Sequence, residues 1–345
     1  MAKERLRWGV LGTGGIAAKV MDRVAEEAQF SKPVACASRD AAKAEAFRAK
    51  CGLERAYGSY DALLADPEVD AVYNALPNHL HAPWSIRALE AGKHVLCEKP
   101  LAMTEAEAVT VIAVARREKR FLGEAFMYRH HPQLAELRGL LASERLGKVR
   151  LIETRFSFNN PDAEATGNVR FARDMGGGGL MDVGCYCLSA ARLVAGAATE
   201  QPFAAAQKHE VTAAFNAPDG VDVLATGHLT FEDGLLGNYA CGMLCQTNAR
   251  ITAWCEGGYV ELPNPWFPRV GQIRIHESAR EPEILKPEAP QDLYALQFDN
   301  CARWIAEGRL EPSQDVMCWE DSLQNLQALD HARRQIGLFW PGEPS

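Results

Sequence analysis

The sequence predicts an α/β domain with a doubly wound parallel sheet, followed by an α+β domain with a large, mostly antiparallel open sheet. Strands and helices alternate over residues 6–120, and a glycine-rich turn follows the first strand. After about residue 123 the pattern changes to strands separated by short turns. Alternating units of this length form parallel sheets, whereas closely spaced strands pair antiparallel. We therefore predict a first domain over residues 1–123 and a second over 124–345, with the C-terminal helices packing back on the first.

The predicted elements of the first domain follow apolar runs that end at turn residues. The predicted strands are Leu6–Leu11, Val34–Ala37, Ala71–Ala75, His94–Cys97 and Phe121–Gly123. The predicted helices are Ile16–Ala28, Asp40–Cys51, Ala82–Ala91 and Thr104–Lys119. Thr104 and Glu107 have the spacing of a capping box at the start of the last helix.

The second domain is predicted to be rich in strands, with three helices. The predicted strands are Val149–Phe158, Ala204–Ala214, Val221–Phe231, Gly234–Gly242, Asn248–Cys255, Gly258–Leu262 and Gln272–His276. The predicted helices are Met181–Val194, Leu293–Glu307 and Trp319–Ile336. The segment Glu281–Pro290 contains three prolines and is predicted to be a surface loop.

Composition and charge exclude several classes of protein. The chain has 345 residues, of which 47% are hydrophobic and 24% charged, and its formal net charge is -8. A negative surface repels phosphate backbones, so we expect no nucleic-acid partner. The N-terminus resembles no signal peptide and no apolar run reaches about 18 residues, so we expect a cytoplasmic protein without a membrane span.

The ten cysteines of such a protein are expected to be reduced thiols. Cys185 and Cys187, like Cys241 and Cys245, lack the CxxC spacing of a zinc site and are interpreted as packing residues. We expect no metal.

The turn after the first strand has the GxGxxA pattern of a dinucleotide-binding motif. Gly12 permits the tight turn, Gly14 lets the backbone approach a pyrophosphate, and Ala17 allows close packing of helix on strand. A plain glycine turn is the alternative, but the strand before the motif and the βαβ pattern after it favour the dinucleotide. The predicted cofactor contacts at this turn are Gly12, Thr13, Gly14, Gly15 and Ile16.

The end of the second strand indicates which dinucleotide is bound. An NAD site usually has an acidic residue there, whereas this chain has Ser38 and Arg39 before Asp40. A guanidinium suits a 2′-phosphate, so we predict NADP, with Ser38 and Arg39 as contacts. Asp40 is expected to cap the next helix, and its turning inward to a ribose remains the alternative.

The turn after the buried strand Ala71–Ala75 lies where ligands of parallel sheets bind. Leu76 and Asn78 are predicted to contact the cofactor, and His81 the cofactor and the substrate. For His79, a role in capping a helix is as plausible as one in binding. The pair of histidines could suggest a metal, but no carboxylate or cysteine stands at ligand spacing nearby.

Two further segments carry groups that can transfer protons. Glu98-Lys99-Pro100 closes the fourth predicted strand, and the proline restricts Lys99 to an extended backbone. Gly176–Gly179 precedes a predicted helix on which Asp182 and Tyr186 are four residues apart. A lysine amine at a strand end can orient hydroxyls or lower a neighbour's pKa, whereas a solvated lysine and a solvated helix face are the alternatives.

Taken together, these motifs resemble the Gfo/Idh/MocA oxidoreductase family, in family order over essentially the whole chain. The resemblance is strongest to the branch with dimeric dihydrodiol dehydrogenase, NADP-dependent xylose dehydrogenase, and glucose–fructose and aldose–aldose oxidoreductases. It implies a Rossmann domain, a second domain with an open sheet, and a homodimer formed through that sheet. It also implies that Lys99 and Tyr186 are catalytic and that Asp182 helps to hold the substrate.

The same resemblance suggests further contacts around the nicotinamide and the substrate. Arg129 lies where the family approaches the nicotinamide, and Arg170 is expected to reach the cofactor or the substrate. Trp266 and Tyr294 are candidates for the pocket wall. The predicted cofactor contacts therefore also include Glu98, Lys99, Arg129 and Arg170.

One departure from the family favours sugars over aromatic diols as substrates. Dihydrodiol dehydrogenases place a tryptophan where this chain has Met127, so that aromatic platform is missing. The resulting hypothesis is oxidation at C1 of a pyranose aldose to a lactone, with Tyr186 taking the hydroxyl proton and the nicotinamide the hydride. A tightly held NADP re-oxidised by a second sugar fits the same residues. The alternatives are a trans-dihydrodiol dehydrogenase, a keto-sugar reductase, and a non-catalytic NADP-sensing regulator.

Overall fold

The computed structural model describes residues 5–160, 167–217 and 220–344. By the density of their internal contacts, these residues form two compact units. The first contains the chain up to His130 together with Pro290–Ser322, and the second contains His131–Ala289 together with the residues from Leu323 on. The predicted division into domains of residues 1–123 and 124–345 stays a prediction.

The fourteen strands and nine α-helices of the described residues are numbered here in chain order. The strands are β1 (Leu6–Leu11), β2 (Ser31–Ala37), β3 (Arg55–Tyr57), β4 (Ala71–Asn74), β5 (His94–Cys97), β6 (Leu122–Glu124), β7 (Val149–Ser157), β8 (Lys208–Phe215), β9 (Asp222–Thr230), β10 (Leu236–Gly242), β11 (Arg250–Cys255), β12 (Gly258–Pro263), β13 (Ile273–Glu277) and β14 (Glu283–Leu285). The helices are α1 (Gly15–Glu27), α2 (Ala41–Cys51), α3 (Tyr60–Leu64), α4 (His81–Glu90), α5 (Glu105–Glu118), α6 (Pro132–Ala142), α7 (Cys185–Ala197), α8 (Leu293–Ala306) and α9 (Trp319–Gln335).

The first unit contains a six-stranded parallel sheet in the order β3-β2-β1-β4-β5-β6. This order confirms the predicted doubly wound fold, in which the chain winds outward in both directions from β1. Helix α8 packs on the sheet: the ring of Phe298 lies 4.6 Å from that of Trp8 and 5.3 Å from that of Tyr73. Trp8 and Phe298 are fully buried, so this contact lies in the core of the unit.

The second unit contains an eight-stranded sheet in the order β14-β13-β12-β11-β7-β10-β9-β8. All neighbouring pairs are antiparallel except β7 and β10, which confirms the predicted, mostly antiparallel open sheet. Helix α7 packs on β7, where the Thr154 hydroxyl donates a hydrogen bond to the Cys187 carbonyl at 3.2 Å. Every residue of α7 is buried, so this helix forms the centre of the unit's core.

Two sequence predictions about local structure need correction. The segment Glu281–Pro290 is not wholly a loop, because β14 pairs with β13 inside it. An edge strand uses the hydrogen bonds of one side only, so flanking prolines do not prevent it. The short elements β3, α3 and α6 were also missed. Most of the other predicted elements are confirmed, with ends that differ by a few residues.

The capping box predicted at the start of α5 is present in part. The Thr104 hydroxyl accepts a hydrogen bond from the Glu107 backbone N–H at 3.2 Å. The Glu107 carboxylate accepts one from Met103, the residue before the cap, at 3.0 Å.

One helical stretch of the described residues is, by length and composition alone, long and apolar enough to cross a membrane. This stretch is Arg173–Ala197, and it is the only such helix within the described ranges. Of its most apolar 18 residues, 94% are buried in the structure. Its composition therefore agrees with that of a core helix, which must be apolar on all sides to be buried on all sides.

Asp299 of α8 joins two segments of the first unit, and its removal should destabilise the fold. Its carboxylate accepts hydrogen bonds from the backbone N–H groups of Gln29 and Phe30, at 2.7 and 2.9 Å, and is almost fully buried. Because Asp299→Ala leaves these donors without an acceptor, we expect it to lower the free energy of unfolding by about 2–3 kcal/mol. Urea unfolding measures this, and Glu307→Ala at the exposed end of α8 should change it by less than about 0.5 kcal/mol. Equal effects of the two substitutions would contradict this role.

Candidate active site

The loops that follow β1 and β4 meet at the carboxyl edge of the parallel sheet. Gly12 has a φ of +96°, and a Cβ added to it would lie 3.0 Å from the Ala75 carbonyl oxygen and 3.2 Å from a Leu76 methyl. Only glycine combines this backbone conformation with so close an approach. The sheet order reverses between these two strands, which is where open α/β sheets bind their ligands.

Helix α1 begins at this edge with open space above its first turn. Gly14 and Gly15 are exposed, and an added Cβ at either would meet no protein atom within 4 Å. No side chain of the described residues caps the helix, so its first N–H groups can receive a bound anion. Thr13 is half-buried and Ile16 is exposed beside them. This geometry suits the pyrophosphate of a dinucleotide.

At the end of β2, Asp40 and Arg39 have separate roles. The Asp40 carboxylate accepts hydrogen bonds from Ala42 and Lys43 at 2.9 and 3.2 Å, so it caps α2 as expected rather than turning inward. Arg39 is exposed, and its guanidinium neighbours the hydroxyl of the buried Tyr60. Ser38 is buried, and its hydroxyl accepts a hydrogen bond from the Asp40 N–H. A cation is thus presented at the strand end where the sequence predicts a 2′-phosphate.

The turn after β4 is held by side chains that point into the first unit. The Asn74 amide donates to the His81 carbonyl and to the Ser85 hydroxyl, at 3.0 and 3.1 Å. Asn78 begins a short 3-10 turn and is half-buried, so it remains accessible at the edge. Asn74 carries no motif signal and was missed in the sequence analysis.

His81 lies inside the first unit rather than at its surface. The two ring nitrogens lie 2.7 Å from the carbonyl oxygens of Pro100 and Leu76, and the residue is 1% exposed. Burial lowers the pKa of His81 to about 4, against the opposing effect of the two backbone carbonyl groups. This placement favours a support for the loops that carry Leu76 and Lys99, and it does not favour the predicted substrate contact.

Lys99 follows β5 at the same edge of the sheet and is half-buried. Its neighbour Glu98 accepts a hydrogen bond of 2.5 Å from the Tyr73 hydroxyl. Tyr294 is 7% exposed, and its ring faces the ammonium group of Lys19 on α1 at 5.3 Å. Burial, and then the negative charges of Glu98 and Asp292, raise the pKa of Tyr294. The structure thus brings Tyr294 near Glu98 within the first unit.

Arg129 is buried and paired, which differs from the expected contact with a nicotinamide. Its side chain is fully shielded from solvent and forms an ion pair with Asp321, and its Nε donates to the Val316 carbonyl at 2.6 Å. These contacts join the turn after β6 to Val316, which precedes α9, and to Asp321 in the first turn of α9. They favour a structural role for Arg129.

In the second unit, Asp182 and Tyr186 lie at the start of the helical stretch that leads into α7. Residues Leu180–Gly184 form a π-helical turn rather than the regular α-helix predicted. Such turns are rare and occur often at functional sites. The half-buried Asp182 carboxylate accepts a hydrogen bond of 2.8 Å from Nε of Arg170, whose side chain is 47% exposed.

Tyr186 is surrounded by aromatic side chains. Its ring contacts those of Phe156 and Trp266 edge-on, with centroid distances of 5.3 and 5.6 Å. Phe156 and Trp266 stack at 5.4 Å, and the 46% exposed Phe267 contacts Phe156 at 5.9 Å. Trp266 is fully buried, so it forms the back of this aromatic group, and Phe267 forms its exposed side. Phe156 and Phe267 were missed because no spacing rule links them to Tyr186.

The two units therefore present different chemistry. The first offers a helix N-terminus, a cation at the end of β2 and an amine at the end of β5, which together suit a phosphorylated dinucleotide. The second offers a phenol, a carboxylate paired with a guanidinium, and an aromatic surface. Among the described residues there is no cluster of three or more His, Cys, Asp or Glu side chains that could hold a metal ion.

Two family models match the chain over most of its length. Residues 6–126 match an oxidoreductase family with an NAD-binding Rossmann fold, and residues 134–261 match the GFO/IDH/MocA C-terminal domain. A trans-1,2-dihydrobenzene-1,2-diol dehydrogenase of Xenopus laevis is 36% identical over 347 residues, which is 97% of this chain and 99% of that protein. The chain belongs to the Gfo/Idh/MocA oxidoreductase family.

Other members of the Gfo/Idh/MocA family act on sugars. A D-xylose 1-dehydrogenase (NADP(+)) of Haloferax volcanii is 42% identical over 229 residues, 66% of this chain and 67% of that protein. The solved aldose-aldose oxidoreductase of Caulobacter crescentus, complexed with glycerol, is 28% identical, with a TM-score of 0.85 over 97% of this chain and 98% of that one. A 3-ketoreductase of Actinomadura kijaniata in complex with NADP and TDP-benzene is 29% identical, with a TM-score of 0.84 over 96% and 98% of the two chains.

Proposed function

We propose that this protein is an NADP(H)-dependent oxidoreductase that oxidises C1 of a pyranose aldose to a lactone. The observation that carries the proposal is the π-helical turn of the second unit, which presents Asp182 beside Arg170 and leads into Tyr186. A phenol that can take a proton, next to a carboxylate that can accept hydroxyl hydrogens, suits a polyhydroxylated substrate. Sugars also stack on aromatic faces, and Phe267 offers such a face.

NADP is supported by the end of β2 and by the names of two relatives. The exposed Arg39 guanidinium can bind a 2′-phosphate, and Asp40 is engaged as a helix cap rather than available to a ribose. The similar xylose dehydrogenase is named for NADP(+), and the similar ketoreductase structure contains NADP. When bound, the nicotinamide supplies the hydride acceptor for the oxidation.

In the proposed reaction, Tyr186 takes the proton of the C1 hydroxyl while the C1 hydrogen leaves as hydride. Lys99 favours the phenolate form of Tyr186 through its positive charge. Asp182 accepts hydrogen bonds from neighbouring hydroxyl groups, and its pairing with Arg170 orients the carboxylate. His81 supports the loop of Lys99 through its contact with the Pro100 carbonyl.

Oxidation of a cyclic trans-diol is the second candidate reaction. The aromatic group around Tyr186 favours it, because these rings could replace the aromatic platform that Met127 does not provide. The 36% identical relative from Xenopus laevis is named for such a reaction. The same residues would serve, with Tyr186 taking the proton of one diol hydroxyl.

Tyr186→Phe should abolish most turnover without disturbing the fold. The variant keeps the ring contacts with Phe156 and Trp266 and removes only the hydroxyl, so kcat should fall by about 10²-fold or more. Lys99→Ala should lower kcat comparably while still binding NADP. Steady-state rates with the best substrate of an aldose and cyclic-diol panel, and NADP titration by fluorescence, measure both effects. Near-normal turnover of Tyr186→Phe would rule out the proton-transfer role.

Arg39→Ala should remove the preference for NADP over NAD. Because only NADP carries the 2′-phosphate, kcat/KM for NADP should fall by about 10- to 100-fold while kcat/KM for NAD changes little. Arg48→Ala, in the last turn of α2, is the matched control, since its guanidinium is paired with Glu45. An unchanged ratio of the two kcat/KM values in Arg39→Ala would show that other groups recognise the phosphate.

We also propose a homodimer formed through the outer face of the eight-stranded sheet. Trp254, Tyr259 and His276 form an aromatic row across β11, β12 and β13, with centroid distances of 4.5 and 4.2 Å. Trp254 is 38% and Leu236 of β10 is 50% exposed, although both are large apolar side chains. Sedimentation velocity should show a dimer, and Trp254→Glu should shift it toward monomer by at least about tenfold in Kd. A monomeric wild-type protein at micromolar concentration would contradict this.

A further inference from the structure

A buried carboxylate in the second unit, on the strand β9, contacts the start of the helical stretch that carries Asp182 and Tyr186. Asp222 is fully buried, and its Oδ2 accepts a hydrogen bond of 2.7 Å from the backbone N–H of Leu180. Leu180 is the first residue of the π-helical turn. The first N–H groups of a helix have no partner within it, so an acceptor from outside fixes where the helix begins.

The glycine run before this turn follows the shape of the Asp222 carboxylate. Gly178 has a φ of +119°, and a Cβ added to it would lie 2.3 Å from Asp222 Oδ1. At Gly179 an added Cβ would lie 3.2 Å from Oδ2. The carboxylate therefore occupies the space that side chains at these two positions would fill. The backbone passes directly over it because both residues are glycine.

The Asp222 side chain accepts backbone hydrogen bonds from a fully buried position. Burial raises the pKa of Asp222 to about 7, against the effect of the N–H groups of Leu180 and Gly179. The titratable groups that face it are Tyr239 and Cys241 of β10, with burial raising the pKa of each. An apolar residue would cost less to bury but would leave the Leu180 N–H without a partner.

We propose that Asp222 is a positioning residue that fixes the start of the π-helical turn and so the placement of Asp182 and Tyr186. It acts through the backbone of Gly178–Leu180 and touches neither substrate nor cofactor. The effect of Asp222 on turnover rests on the proposed function, whereas its effect on the position of the π-helical turn does not. The turn is held by the acceptor oxygen, so Asp222→Asn should keep the turn in place and retain most of the turnover.

Hydrogen–deuterium exchange tests this without reference to activity. In Asp222→Ala, amides of residues 178–186 should exchange at least about tenfold faster, while those of β2 in the first unit keep their rate. Asp222→Asn, which keeps the acceptor oxygen, should stay within about threefold of the wild type. Unchanged exchange in Asp222→Ala would overturn the proposal. An Asp222→Asn variant as fast as Asp222→Ala would overturn it as well.

A second pair of variants decides the question if Asp222→Ala does not fold. Gly178→Ala should displace the carboxylate and speed exchange of the same segment. Gly167→Ala places alanine at a similarly positive φ, +85°, with no atom of residues 5–160, 167–217 and 220–344 within 4 Å of the added Cβ, and serves as the strain control. Equal exchange in these two variants would overturn the proposal.

Kinetics then connect the position of the turn to function. Asp222→Ala should lower kcat by about tenfold or more and leave the Kd for NADP unchanged, because the predicted cofactor contacts of the sheet edge lie in the other unit. Asp222→Asn should retain most of the turnover. If the wild type turns over neither aldoses nor diols, the proposed function fails, and the exchange data still decide the role of Asp222.

Discussion

The first unit depends on the reversal of strand order between β1 and β4. Because the chain winds outward in opposite directions from these neighbours, a crevice forms at the carboxyl edge of the sheet. Gly12 closes the base of the crevice against Ala75 and Leu76, and α1 begins above it. The other groups of this edge, Arg39 and Lys99, follow β2 and β5, so their placement is a consequence of the same sheet.

In the second unit, the comparable constraint is the start of the helical stretch that leads into α7. Every residue of α7 is buried, so the helix is fixed on all sides by the core. The point at which the helical stretch begins therefore determines where Asp182 and Tyr186 lie. Strand β9 supplies the acceptor at its first residue, and β7 supplies Phe156 against the ring of Tyr186. The proposed catalytic side chain, Tyr186, is thus oriented by strands that are distant from it in sequence, which is typical of sites that must be held rigidly.

The sequence predicted the features that have a local signature. The GxGxxA turn, the cap by Asp40 and the two sheet types follow from glycine positions, helix-start residues and strand spacing. The sequence could not reveal that Arg129 pairs with Asp321, because the two residues lie 192 positions apart and share no periodic signal. Similarly, the motif predicts His81 as a binding residue, whereas its burial and its two carbonyl neighbours favour a supporting role.

The π-helical turn and the role of Asp222 show a second limit of sequence reasoning. A single aspartate at the start of a strand carries no motif, and its partner glycines lie more than forty residues earlier. Only the fold brings the backbone N–H groups of Gly179 and Leu180 within hydrogen-bond distance of Asp222. The identity of the substrate cannot be predicted for the same reason. Phe156 and the neighbours Trp266 and Phe267 come from two separate segments, and their packing around Tyr186 cannot be deduced from the sequence.

The most direct test of the proposed reaction follows the hydrogen at C1. Purified protein would be mixed with NADP and a panel of aldoses, and the aldose that gives the fastest rise in reduced nicotinamide absorbance would be repeated with deuterium at C1. The account predicts that deuterium appears at nicotinamide C4, that the rate falls on labelling, and that a lactone forms. If reduction stops at about one cofactor per chain and a second sugar reverses it, the cofactor is retained and the account still holds. Reduced nicotinamide without deuterium, or no reduction by any aldose, would contradict it.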